Sequence, residues 1–145
     1  MANTINVQLQ SLNKDMTFAA KGSSGHWIMI DTDEAIGGNG AGTKPLEMLL
    51  EALAGCTGMD VISILRKKRT PFKHLGIQVE GKKREEHPKS FTHIHMYLKL
   101  YSDGGEKALR DLQRAVDLSY EKYCTVSNML KATAEITYDI EIVNE

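Results

Sequence analysis

The stretch Pro45-Leu46-Glu47-Met48-Leu49-Leu50-Glu51-Ala52-Leu53-Ala54-Gly55-Cys56-Thr57-Gly58-Met59-Asp60-Val61-Ile62-Ser63-Ile64-Leu65-Arg66-Lys67-Lys68-Arg69 decides how the rest of the chain is read. Pro45 suits the first turn of a helix, where a missing N–H removes no bond. Leu46, Leu49, Leu50, Leu53, Cys56, Val61, Ile64 and Leu65 follow at mostly helical spacing. Arg66 to Arg69 meet the partial negative charge of a helix C-terminus, and Thr70-Pro71 stops the run. The stretch is more apolar than a surface helix needs, so a central helix buried on most sides is expected. Gly55 and Gly58 would bend it or admit another backbone closely.

Before this helix the period changes from helical to alternating. Ile5, Val7 and Leu9 alternate with Asn6, Gln8 and Gln10, which predicts a half-buried strand. Asn13-Lys14-Asp15 predicts a turn and Met16 to Ala20 a returning arm. Gly22-Ser23-Ser24-Gly25 predicts a second turn before a third strand, His26 to Ile30. Asp31 to Lys44 has no apolar period and carries Gly37, Gly38, Gly40 and Gly42. It lacks the Gly-Lys-Ser/Thr ending of a P-loop and does not fit GxGxxG, so it is read as a flexible connection, not a phosphate cradle.

After the helix, Leu75, Ile77 and Val79 predict one strand and Ile94, Met96, Leu98 and Leu100 another, joined by a charged turn containing Pro88 as an antiparallel pair. Ser102-Asp103-Gly104-Gly105 predicts a turn. Glu106 to Tyr123 reads as an amphipathic helix, Thr125 to Ala132 as a short helix, and Ile136 to Ile142 as a last strand. Three strands, a buried helix, two strands, two helices and one strand make an α+β fold with mostly antiparallel sheets. No repeat and no linker interrupts residues 1–145, so a single domain is expected.

Composition narrows the function. Hydrophobic residues are 41% of the 145 and charged residues 26%, enough apolar material for a core. Eighteen Lys+Arg against nineteen Asp+Glu give a formal charge of −1, which disfavours a globally basic nucleic-acid binder. No run of 18 apolar residues is present, and Met1 to Leu12 lacks the charged and apolar regions of a leader, so neither a membrane span nor export is expected. A cytoplasmic location follows, where two cysteines would stay reduced unless their chemistry is redox.

Cys56 sits among small neighbours in Ala54-Gly55-Cys56-Thr57-Gly58, which leave room either for a substrate or for tight packing. Cys124 lies where one helix ends and the next begins, where a following helix N-terminus would stabilise a thiolate. Their spacing does not pair them. His93 and His95 share a strand face, but two imidazoles on a polar face read as solvated side chains more than as metal ligands. Arg66 to Arg69 with Lys82-Lys83-Arg84, and Gly55-Cys56-Thr57-Gly58 as a GxxG loop, give only a weak RNA-binding signal, because that loop should be exposed and this one lies in an apolar run.

A resemblance changes the weighting. Lys44-Pro45-Leu46-Glu47-Met48-Leu49-Leu50, leading to Ala54 through Val61 and then Ile64-Leu65-Arg66-Lys67, resembles the central helix of the OsmC/Ohr family (osmotically induced protein C-like). Ala115-Val116-Asp117-Leu118-Ser119 through Glu121-Lys122-Tyr123-Cys124-Thr125-Val126 resembles its second cysteine segment. Arg84-Glu85-Glu86 and Phe91-Thr92-His93-Ile94 resemble the YhfA-like branch. The likeness runs from about Val7 to Val143. It implies an intertwined α+β homodimer around two central helices. It further implies a thiol-dependent peroxidase that prefers organic hydroperoxides, with Cys56 peroxidatic, Cys124 resolving and an external dithiol as electron donor. No metal, flavin or haem is implied.

The chain departs from the Ohr pattern in the residues around the cysteine. Ohr members use an arginine from the N-terminal strands and a glutamate ten residues before the cysteine. Here Leu46 stands at that glutamate position, Glu47 follows it as the candidate acidic residue, and no arginine precedes Arg66. Glu47 is nine residues from Cys56, about half a turn out of phase. Lys44 and His26 are candidate replacement cations. Asp60, four residues after Cys56, shares its face and would raise the thiol pKa. These departures also support an alternative: a non-catalytic small-molecule-binding or redox-responsive module on the same fold.

Overall fold

The computed structural model describes residues 3–144. Positions 1, 2 and 145, including the first two of the segment read for a leader, lie outside it. The architecture is α+β, with two three-stranded sheets and a long helix. The chain forms two compact units, residues up to Leu49 and Leu50 onward.

The first unit is a meander. β1 (Val7–Ser11), β2 (Phe18–Gly22) and β3 (Trp27–Ile30) pair antiparallel, with Leu9 opposite Ala20 and Ala20 opposite Ile28. The glycine-rich segment after β3 has a defined fold, contrary to the flexible connection expected from its composition. Asp31, only 2% exposed, holds it by accepting bonds from Thr17 Oγ1 at 2.9 Å and from the N–H groups of Thr32, Asn39 and Ala41 at 2.8 to 3.3 Å. Burial pushes the Asp31 carboxyl up, but these donors outweigh it and leave its pKa below the usual value. A Cβ on Gly38 would lie 2.1 Å from the Thr32 carbonyl oxygen, so the backbone can close on itself only without a side chain there.

Helix α1 (Pro45–Lys67) begins where the sequence places it, and Glu47 Oε1 accepts the Lys44 N–H at 3.0 Å, the returning half of a capping box. The helix is buried on one stripe, Leu53, Thr57, Val61 and Leu65, not on most sides as its apolarity suggested. The elements of one chain cover one face, and Met59 on the opposite face is 76% exposed. By length and mean hydropathy alone α1 could cross a bilayer, yet its inner stripe is packed inside the protein.

In the second unit β4 (His74–Lys83) pairs antiparallel with β5 (Phe91–Tyr101), and β6 (Glu135–Val143) lies beside β5. The β5–β6 pair is parallel, an exception to the antiparallel expectation. A helical crossover between the two strands carries the chain back over the sheet, and that connection yields parallel neighbours. Ile94, Met96, Leu98 and Leu100 form the inner face of β5, opposite Ile136, Tyr138, Ile140 and Ile142. The predicted helix Glu106 to Tyr123 divides into α2 (Gly105–Leu118), which packs on β6, and a π-helical turn (Ser119–Tyr123), before α3 (Thr125–Leu130). Ala108, Leu112, Ala115 and Val116 bury the inner face of α2.

Candidate active site

Two parts of the second unit bring reactive side chains together. α1 supplies Cys56, Thr57 and Asp60 from successive positions around one turn. The π turn and the start of α3 supply Ser119, Cys124 and Ser127. The Cys124 N–H reaches back five residues to the Ser119 carbonyl at 2.7 Å, the bond that defines a π turn and sets where the sulfur falls. Cys124 is then extended at φ −73° and ψ 104°, and caps α3 with its own sulfur, which accepts the Ser127 N–H at 3.3 Å. The Ser127 hydroxyl also donates to the Cys124 carbonyl at 3.1 Å.

Cys56 Sγ, Cys124 Sγ and a carboxylate oxygen of Asp60 all lie within 4.8 Å of one another. No disulfide joins the two cysteines. Thr57 Oγ1 is 3.7 Å from Cys124 Sγ, and Ser119 Oγ donates to Asp60 Oδ2 at 2.8 Å. Cys56 is half-buried and Cys124 only 3% exposed, so an incoming molecule meets Cys56 first.

The two thiols differ in acidity. Burial pushes Cys56 up, the Cys124 sulfur reinforces this, and the backbone N–H groups of Val126 and Thr125 pull against it without prevailing. The sequence pointed to Asp60 as the source of such a rise, whereas burial is the largest cause. Burial also pushes Cys124 up, but hydrogen bonding from Ser127, with Cys56 and Thr57 adding to it, carries its pKa below the usual thiol value. The negative charge of the pair is therefore favoured on Cys124, and the proton on Cys56.

The other sequence candidates lie elsewhere. Glu47 is engaged at the N-terminus of α1 with Lys44, and Lys44 Nζ pairs with Asp33 at 2.8 Å. His93 faces Glu135, and His95 lies between Thr137 and Asp139, at 2.6 and 2.9 Å, on the outer face of the sheet. Gly55-Cys56-Thr57-Gly58 is inside α1 and forms no exposed loop. Sequence reasoning gave Thr57, Ser119 and Ser127 no part in the site. Position 57 follows Cys56 and Ser127 follows Cys124 by the three residues of a helix cap, but nothing in the sequence announces the π turn that positions Cys124.

The family described as OsmC-like protein matches residues 37–139. The protein YhfA of Escherichia coli strain K12 is 38% identical over 130 residues, covering 88% of this chain and 91% of its own. A hypothetical protein from Aquifex aeolicus VF5 superposes with a TM-score of 0.79 at 34% identity, covering 99% of this chain and 100% of its own. An organic hydroperoxide resistance protein OsmC from Legionella pneumophila shares the fold, with a TM-score of 0.70 at 12% identity, covering 97% and 98%.

Proposed function

Because the chain belongs to the OsmC-like protein family, we propose that it is a thiol-dependent peroxidase that reduces organic hydroperoxides, with Cys56 as the attacking and Cys124 as the resolving cysteine. The observation that carries this is the meeting of a half-exposed sulfur and a buried, acidified sulfur within 4.8 Å. Closing that gap to a disulfide bond needs a shift smaller than a side-chain rotation provides.

The proton balance runs through the pair. Cys56 passes its proton to the Cys124 thiolate and attacks the hydroxyl-bearing oxygen of the peroxide. The O–O bond breaks, the proton passes to the departing alkoxide, and Cys56 is left as a sulfenic acid beside an alcohol. The Cys124 thiolate then attacks the sulfenic sulfur and expels hydroxide, forming the Cys56–Cys124 disulfide. An external dithiol reduces it by thiol–disulfide exchange and leaves oxidised itself. Glu47 enters at one remove, by capping the helix that carries Cys56.

The protein is read as one OsmC-like domain over 1–145, acting as a homodimer in the cytoplasm. The dimer is supported by the uncovered face of α1, where Gly55, Gly58, Met59 and Ile62 line an open hollow of about 660 Å³. Light scattering at micromolar concentration should give twice the chain mass.

The experiment is single turnover. Reduced protein is mixed with one equivalent of cumene hydroperoxide, quenched over seconds, alkylated and mapped by mass spectrometry. A fast Cys56–Cys124 disulfide, absent in Cys56→Ser, is expected. Two free thiols after minutes would leave the non-catalytic binding module as the function of the fold.

A further inference from the structure

The same three side chains have a second chemistry that does not depend on peroxide reduction. We propose that reduced Cys56, Cys124 and Asp60 bind one zinc ion per chain, with water completing a tetrahedron. Two thiolates and one carboxylate are a donor set suited to zinc, and three protein ligands with one open position are the usual plan of a reactive zinc centre. Their donor atoms already lie within 4.8 Å of one another. Zinc–sulfur bonds of about 2.3 Å and a zinc–oxygen bond of about 2.0 to 2.2 Å need donors at a similar mutual separation, so modest closure suffices.

The outer hydrogen bonds are also present. Ser119 Oγ donates to Asp60 Oδ2 at 2.8 Å and so restrains the carboxylate. The Ser127 N–H donates to Cys124 Sγ. Such outer partners fix the direction of metal ligands and add to affinity. Zinc with two thiolates and one carboxylate carries a net charge of −1. Lys67 and Lys68 line the cleft of about 300 Å³ that Asp60 also lines, and their charge offsets that excess. On binding, zinc replaces the thiol protons, which leave to solvent. The zinc-bound sulfurs are then shielded from alkylation.

The test uses the full-length reduced protein freed of metal. Zinc is titrated in competition with a chromophoric chelator, and cobalt(II) is added separately to report ligand type. The expected result is one zinc per chain, a near-ultraviolet thiolate-to-cobalt charge-transfer band, and visible bands of tetrahedral intensity. Cys56→Ser and Cys124→Ser should each weaken the charge-transfer band. Asp60→Asn should lower zinc affinity at least about tenfold, and Ser119→Ala by about tenfold through the outer shell. Far-ultraviolet circular dichroism confirms that each variant is folded. A folded wild-type protein with no thiolate-to-cobalt band overturns the proposal, and so does an Asp60→Asn variant with unchanged zinc affinity. The peroxide titration on metal-free protein reports separately, so the failure of either idea is distinguishable from the failure of the other.

Discussion

Thr57 Oγ1 lies 3.7 Å from Cys124 Sγ, so the residue next to Cys56 on α1 touches the other cysteine. Thr57 is buried, and this contact gives its hydroxyl a side-chain partner. Replacing Thr57 by Val removes a donor that helps hold Cys124 in its charged form. The Cys124 thiol pKa should rise, and its alkylation near neutral pH should slow several-fold. Iodoacetamide rates against pH for the two cysteines, resolved by peptide mapping, check this.

The Asp31 carboxyl gives a pH signature. Its pKa is lower folded than unfolded, because Thr32, Ala41, Thr17 and Asn39 donate to the ionised form. A depressed carboxyl pKa adds stability that is fully present above the unfolded value and is lost as pH falls through the folded value. Thermal melts from about pH 6 to about pH 3 should show this loss in the native protein. Asp31→Asn should lower Tm at neutral pH and flatten the acid-side slope. An unchanged slope would show that the carboxylate is not what orders the loop.

Gly81 is hemmed in by Phe91. A Cβ there would sit 2.6 and 2.8 Å from the Phe91 ring and 3.2 Å from Leu50. Phe91 is 7% exposed and has little room to yield. Gly81→Ala should therefore destabilise the second unit by about 1–3 kcal/mol, the usual cost of overpacking. Urea unfolding followed by circular dichroism measures it.

The Glu47 carboxylate ends the helix that carries Cys56 by accepting the Lys44 N–H. Glu47→Ala should lower Tm slightly by loss of the returning half of the capping box. Glu47→Gln keeps a capping acceptor and removes the charge. Tm and the rate of disulfide formation should both survive in the Gln variant. A rate that falls while Tm holds would make Glu47 an electrostatic partner of the cysteine instead.

The periodic parts of this fold were legible because their information is local. The alternation in Ile94, Met96, Leu98 and Leu100 needed no knowledge of the partner strand to place it inward. The parallel sense of β6 was not legible, since direction depends on where the 33-residue connection, 102–134, returns the chain. Asp60 was placed on the Cys56 face by the helical repeat. Ser119 was not placed at Asp60, because that meeting depends on how α2 packs against α1 and not on the repeat of either helix. The glycine-rich segment was misjudged for a related reason. Composition registers the freedom of its glycines but not the single carboxylate that removes it.

Cys124 caps α3 with a sulfur whose negative charge a disulfide bond would remove. The first turn of α3 is thus tethered to the bonding state of one atom. When the sulfur is ionised, the Ser127 amide has its strongest acceptor. When the sulfur enters a disulfide, that acceptor weakens and the turn loosens. Deuterium uptake at the Ser127 amide then becomes a gauge of what Cys124 is bonded to. The same link runs backwards: whatever frays α3 shifts the ease with which the disulfide forms. A helix of six residues, too short to stand alone, is in this way a mechanical readout of chemistry at its first atom.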